Sequence, residues 1–298
     1  MAVLTIEHLT KRFSDKCVLS DLSFTVGEHS IFGFIGKNGA GKTTTMKAIL
    51  GLLPTDGGEI YVMNERVRYG ETPTNRYIGY LPDVPEFYPY MTAPEYLSFC
   101  GEVTGMEHAD IRARSGLLLE RVGLLGEGHR IGGFSRGMKQ RLGIAAALLH
   151  KPKLLVCDEP TSALDPIGRS EILDTLLAVR EEATVLFSTH ILTDVERIAT
   201  DIALLDGGKA VLAGTLDAVK AKYRRNDYRL TLENEADAAL LLAAFPAMER
   251  LGRELCFRDG ECDPAAVLAL LAERHVPILR IERTEPTLEA LFKEVIGA

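Results

Sequence analysis

The chain has 298 residues, 46% of them hydrophobic, enough for one large domain, or a large and a small one, with a substantial buried core. A formal net charge of −8 argues against a broad nucleic-acid-binding surface. Five cysteines, Cys17, Cys100, Cys157, Cys256 and Cys262, are odd in number and nowhere closely paired. That pattern reads as a reduced, cytosolic protein rather than a zinc or catalytic-thiol protein.

The first seven residues lack the basic and apolar regions of a signal peptide. The longest apolar runs, 48–53 and 142–149, fall far below the roughly 18–20 residues needed to span a bilayer. The chain is therefore expected to be soluble, with any membrane role exercised through a partner. Residues 3–6 and 22–26 alternate as short strands do. Residues 30–35 form a nearly continuous apolar run, as in a strand buried on both faces, and lead through a glycine-rich loop into a predicted helix over 42–52. From 85 to about 150 the apolar spacing is helical, with Tyr96, Leu97, Ile111 and 117–119 in phase. Buried strands are predicted at 154–157 and 184–188, separated by a helix over 167–180. Strands alternating with helices imply an α/β fold with a mostly parallel sheet.

The pattern changes near Leu216, and the charged segment 220–227 reads as a linker. Beyond it the predicted order is strand (228–232), helix (236–244), strands (249–251 and 254–258), helix (264–274), strand (278–283) and a last helix (288–296). That βαββαβ order fits a small α+β, ferredoxin-like unit. The expected organisation is a domain over 1–218, containing a helical subdomain at about 85–150, and an accessory domain over 219–298.

Gly36-Lys37-Asn38-Gly39-Ala40-Gly41-Lys42-Thr43, followed by Thr44, matches G-x-x-x-x-G-K-[ST] in full. Its glycines let the backbone approach a phosphate without a Cβ in the way, and the exposed N–H groups at a helix start attract the anion. In such a loop Lys42 sits between the β- and γ-phosphates and the Thr43 hydroxyl ligates Mg²⁺. The loop alone leaves kinase, GTPase and ATPase open. Downstream, 154–157 is an apolar strand ending in Asp158 and Glu159. Such a strand end faces the P-loop, so Asp158 is a candidate to hold Mg²⁺ and Glu159 to orient or deprotonate an attacking water.

Further motifs follow in order. Phe134-Ser135-Arg136-Gly137-Met138-Lys139-Gln140-Arg141 resembles the signature of ATP-binding-cassette (ABC) ATPases, usually written L-S-G-G-Q with a following Q-R. Ser162-Ala163-Leu164-Asp165 resembles the D-loop of that family, and Ser188-Thr189-His190 its switch-histidine loop. Phe13 occupies the place of the aromatic that stacks on adenine. The resemblance covers roughly residues 1–215 and implies a P-loop NTPase cassette that binds ATP and Mg²⁺. It also implies a homodimer or cassette heterodimer in which Ser135, Gly137 and Asp165 help complete the site of the other protomer, and in which His190 senses the γ-phosphate. The P-loop residues 36–44 and Phe13 are the expected nucleotide contacts, Lys42, Glu159 and His190 the catalytic group, and Thr43, Asp158 and Asp83 the candidate metal contacts.

Two motifs depart from the family pattern, at three positions. Arg136 replaces the usual first glycine, with Met138 in place of glutamine, a variant similar to those of exporter-type members. In Ile78-Gly79-Tyr80-Leu81-Pro82-Asp83, Asp83 stands where glutamine usually bridges the metal site and the helical subdomain. At the other end, Thr284-Glu285-Pro286-Thr287-Leu288-Glu289-Ala290-Leu291-Phe292 resembles the close of drug-exporter-type cassettes. One cassette without a spanning segment implies a dimer on an integral membrane permease, at the inner face of the cell membrane, and no nucleic-acid partner. A soluble ABC protein of repair or translation usually carries two cassettes or a long coiled coil, and neither is present. A non-hydrolysing nucleotide switch is disfavoured by Glu159 and His190, and a GTPase by the lack of Asn-Lys-x-Asp.

Overall fold

The computed structural model describes residues 1–71, 73–222, 227–258, 260–284 and 287–296. They fall into two units, Met1–Asp217 and Ala218–Ala298. The first unit begins with two long antiparallel strands, β1 (Ala2–Phe13) and β2 (Lys16–Gly27). Both outrun the short strands that alternation predicts. The cause is visible in the ladder: the register shifts between Ile6 and Leu9 and again around Lys11, and His8 and Asp21 adopt φ of 53° and 64°. Such bulges break the period-2 signal while the pairing continues.

Next come β3 (Ile31–Gly36), α1 (Lys42–Ile49), β4 (Gly57–Val62), β5 (Glu65–Arg66) and β6 (Ile78–Leu81). The helix α1 stops three residues before the predicted end. Gly51 at φ 68° donates to Ala48 O at 3.0 Å, and Leu52 donates to Lys47 O at 2.9 Å. This is the Schellman pattern, which glycine in the left-handed region permits. The helical stretch comprises α2 (Ala93–Val103), α3 (His108–Arg121) and α4 (Arg136–Leu148). The unit closes with β7 (Leu154–Asp158), α5 (Pro166–Val179), β8 (Thr184–Thr189), α6 (Leu192–Ile198), β9 (Asp201–Asp206) and β10 (Lys209–Thr215).

Two sheets result. One is antiparallel, in the order β2-β1-β4-β5; the other runs β10-β9-β3-β8-β7-β6, parallel throughout except for the antiparallel edge strand β10. Every residue of β3, β7 and β8 is buried, which explains their unbroken apolar runs. Leu4, Leu9 and Phe24 of the first sheet, Phe34 of the second, and Met46 and Ile49 of α1 share one core. Phe24 stacks on Phe32 with ring centroids 5.2 Å apart. Five parallel strands thus end side by side along one edge, and it is there that the loops carrying the motifs emerge.

The helix α7 (Leu216–Lys222) occupies the start of the segment read as a linker; residues 223–226 of that segment lie outside the described residues, as do Glu285 and Pro286 of the 284–292 motif. The second unit contains β11 (Asp227–Leu232), α8 (Ala238–Ala244), β12 (Glu249–Leu251), β13 (Glu254–Arg258), α9 (Pro264–Glu273), β14 (Ile278–Thr284) and α10 (Leu288–Ile296). Its sheet is antiparallel in the order β12-β13-β11-β14. That is the ferredoxin-like arrangement, in which the first and third strands are central. Leu230, Leu232, Leu255 and Phe257 meet Leu241 of α8 and Val267 and Leu271 of α9 in its core.

Candidate functional site

The loop between β3 and α1 is shaped by Gly41, whose φ of 112° caps α1. A Cβ there would meet Leu19 Cδ2 at 2.6 Å, so both conformation and space demand glycine. Lys37, Asn38 and Gly39 are exposed along the loop, Ala40 and Thr44 are half-buried, and Thr43 is exposed on the first turn of α1. Lys42 is the opposite, only 6% exposed. Its ammonium donates to Gly36 O at 2.7 Å and Lys37 O at 3.4 Å, and lies 3.0 Å from Glu159 Oε1.

Glu159 is reached from β7 through a sharp turn. Its φ of 48° puts a non-glycine residue in the left-handed region, a conformation costing about 1–3 kcal/mol and concentrated at functional sites. The turn is held by Ser188, at the end of β8 and opposite Asp158 in the parallel ladder. Ser188 Oγ donates to Asp158 Oδ1 at 2.6 Å and accepts from Glu159 N at 2.9 Å. One buried hydroxyl therefore fixes both the Asp158 carboxylate and the main chain of Glu159. The second oxygen of Glu159 meets His190 Nδ1 at 2.9 Å. The outcome is a row, Lys42–Glu159–His190, with each carboxylate oxygen holding one partner and Asp158 beside it.

Removing the Ser188 hydroxyl strands a buried carboxylate and a main-chain N–H. Ser188→Ala is expected to lose about 1–3 kcal/mol of stability and to weaken the Mg²⁺ dependence of turnover. A melting curve and a Mg²⁺ titration check this, and unchanged values in both would remove Ser188 from the site. Sequence reading saw Ser188 only as part of a loop motif. The available signal was a hydroxyl closing an apolar strand, next to a strand ending in two acids.

The other expected residues are placed as follows. Phe13, at the end of β1, is 46% exposed, with Lys11 Nζ 5.2 Å from its ring centroid. Ser135 caps α4, its Oγ accepting from Met138 N at 3.2 Å. Gly137 lies within that first turn, with Leu164 Cδ2 of the D-loop 4.0 Å from where its Cβ would stand. Asp165 caps α5, accepting from Gly168 N at 3.2 Å. Among the described residues no hydrogen bond or ion pair joins Ser135, Gly137 or Asp165 to the Lys42–Glu159–His190 row. Asp83, expected at the metal, gives its carboxylate to Arg136 at 3.3 Å. Burial pushes the Tyr80 phenol up to about 12, and the charges of Asp158 and, more weakly, Asp83 add to the effect. Tyr80 thus stays protonated between them. Burial also raises the Cys157 thiol, which is inert in the core.

The fit to a nucleotide follows from these features. Gly39 is exposed and a Cβ on it would meet nothing within 4 Å, leaving open space above a loop whose buried neighbour Lys42 carries a positive charge. Among the described residues no group of three or more His, Cys, Asp or Glu forms a metal cage. The Thr43 hydroxyl and the Asp158 carboxylate would suit Mg²⁺, which takes one or two carboxylates together with substrate phosphates.

Comparison with known proteins agrees with this geometry. Residues 19–162 match the family model for ABC transporters, and residues 214–296 match that of the C-terminal domain of DrrA1-3-like ATP-binding proteins. The chain is 33% identical over 306 residues to the linearmycin resistance ATP-binding protein LnrL of Bacillus subtilis, covering 99% of this chain and 98% of that one. It is likewise 33% identical over 306 residues to the bacitracin transport ATP-binding protein BcrA of Bacillus licheniformis, covering 99% and 97%. Among solved structures, an ATP-binding subunit of an ABC transporter is 32% identical and superposes with a TM-score of 0.65 over 74% of this chain and 93% of that one.

Proposed function

Because the chain belongs to the ABC transporter ATP-binding family, whose members hydrolyse ATP, we propose that it dimerises around two ATP molecules and powers export of a peptide, lipid or small molecule through a separate integral membrane permease. No described helix is long and apolar enough to cross a membrane, so in this reading the chain works at the inner face of the cell membrane, held there by the permease. The observation that carries the reading is the Lys42–Glu159–His190 row beside the P-loop.

The roles follow from the atoms available. The backbone N–H groups of Gly36 to Gly41 and the start of α1, with Thr44, surround the phosphates, and Lys42 neutralises the β- and γ-oxygens. Thr43 and Asp158 would hold Mg²⁺, which supplies further charge neutralisation. Glu159 accepts a proton from the attacking water, its carboxylate held between Lys42 and His190. His190, hydrogen-bonded to Glu159 and 46% exposed on its other side, senses the γ-phosphate. Phe13 stacks on adenine. Ser135, Gly137 and Asp165 serve the nucleotide bound to the partner protomer.

The export reading is tested in cells and in detergent. A strain with Glu159→Gln as its only copy should become sensitive to a membrane-directed antibiotic that the wild type tolerates, and the tagged wild-type chain should leave the membrane with a multi-span protein that stimulates its ATPase. Full ATPase recovered only from the membrane-free fraction, with no change in sensitivity to any agent of this class, would remove transport from the reading. We also propose that residues 1–218, with the helical subdomain at about 85–150, are the nucleotide-binding domain and 219–298 an accessory domain. A fragment ending at residue 218 is then expected to stay soluble and bind ATP. An insoluble or nucleotide-blind fragment would move the boundary.

A further inference from the structure

Two of the positions where the sequence parts from its family pattern, Asp83 and Arg136, meet in space. Asp83 lies two residues beyond β6, whose last residue, Leu81, pairs with Cys157 of β7. It therefore rides on the strand pair that ends in Asp158 and Glu159. Its carboxylate sits 3.3 Å from the Arg136 guanidinium. Its main-chain carbonyl accepts a 2.7 Å hydrogen bond from Gln140 Nε2. Arg136 and Gln140 are four residues apart on α4 and so share one face. Together they grip one residue at two points, by side chain and by main chain. Ser135 immediately precedes this grip and Gly137 lies inside it.

These contacts do little for stability. Side chains 41% and 46% exposed form an ion pair of small net value. Gln140 is fully buried, yet its Oε1 has no hydrogen-bond partner among the described residues, which is a cost. What the contacts do supply is a defined geometry between the first turn of α4 and the strand end.

We propose that Arg136 is a positioning residue: with Gln140 as the fixed anchor, it clasps Asp83 and locks the Ser135–Gly137 turn, which faces the partner's nucleotide, to the Asp158–Glu159 strand end of the chain's own site, so that the two half-sites move as one body. The proposal rests on the reading of Ser135 and Gly137 as nucleotide-facing. It gives the Arg136 cation and the Asp83 anion one shared role, each fixing the position of the other.

The test is a double-mutant cycle in the full chain with Mg²⁺ and ATP, using Arg136→Gly, Asp83→Gln and the pair together. Each single substitution is expected to lower kcat about tenfold, inside the usual range for coupled sites, while the Kd for a fluorescent ATP analogue at the P-loop and the melting temperature stay as in wild type. The double variant should recover to within about threefold of wild type, and Arg136→Lys should retain more activity than Arg136→Gly. Raising salt screens an exposed pair, so kcat should fall more steeply in wild type than in the double variant. Single losses that multiply in the double variant, or identical salt responses, would overturn the clasp. The underlying reading fails separately, if a cysteine at Ser135 gives no ATP-dependent crosslink to a cysteine in the partner's P-loop.

Discussion

Glu159→Gln is expected to bind ATP as tightly as the wild type while losing about 10²–10⁴-fold in turnover, the usual contribution of a general base. The substitution keeps the shape of the side chain and removes its basicity. The hydrogen bonds that define the turn survive it, because Ser188 holds Glu159 through the main-chain N–H. The P-loop contact of Lys42 with Gly36 O is likewise untouched. With ATP bound and hydrolysis blocked, the variant should accumulate as a dimer. Nucleotide binding by fluorescence, single-turnover hydrolysis and size-exclusion chromatography with Mg²⁺-ATP measure the three outcomes. Turnover within tenfold of the wild type in a well-folded variant would take the base role away from Glu159 and leave the row as a purely electrostatic device. Loss of ATP binding would assign Glu159 to positioning Lys42, the partner it holds at 3.0 Å.

The chemistry was legible in the sequence because each of its parts is local. The P-loop, the Asp158–Glu159 strand end and the 188–190 loop are short runs whose backbone context, an apolar strand followed by a turn, is encoded by the same few residues. What joins them is not local. Ser188 reaches Asp158 across 30 positions and Arg136 reaches Asp83 across 53. Such contacts depend on which strands lie side by side, which the period of hydrophobicity does not state. The antiparallel strand β4 escaped notice because it starts from paired glycines and is only partly buried, and β5 because it is two charged residues long. The edge strand β10 has only a short apolar run, 210–213, and none of its residues is buried. In the second unit the reverse held. Short strands and helices with clean alternation, separated by turns, revealed the βαββαβ order almost residue by residue, because one helix-covered sheet face leaves a simple two-sided pattern.

Lys42→Ala and Gly137→Asp are each expected to abolish hydrolysis, by on the order of 10²-fold or more, and for different reasons. Lys42 is a nearly buried cation whose donors all converge on the loop and on Glu159. Its removal should delete the charge proposed to bind phosphate, so ATP affinity is expected to fall with turnover. Gly137 poses no packing demand. A Cβ there meets nothing closer than 4.0 Å, and a carboxylate in the first turn of α4 is compatible with the helix dipole. Gly137→Asp should therefore fold normally and keep ATP affinity at its own P-loop, failing only because its charge repels the phosphates of the partner. Mixing the two inactive proteins forms heterodimers with one intact composite site and one doubly defective site. If the sites act independently, an equal mixture regains roughly a quarter of wild-type activity, since half the dimers are mixed and each has one working site. The geometry is checked directly by placing cysteines at Asn38→Cys and Ser135→Cys in a Glu159→Gln background, each residue being exposed. A short bifunctional reagent should join one protomer to its partner only when ATP and Mg²⁺ are present. An ATP-independent crosslink, or none at all while the cysteine variants with Glu159 intact hydrolyse ATP normally, would reject a site shared between protomers and return Ser135 and Gly137 to the role of an ordinary helix cap.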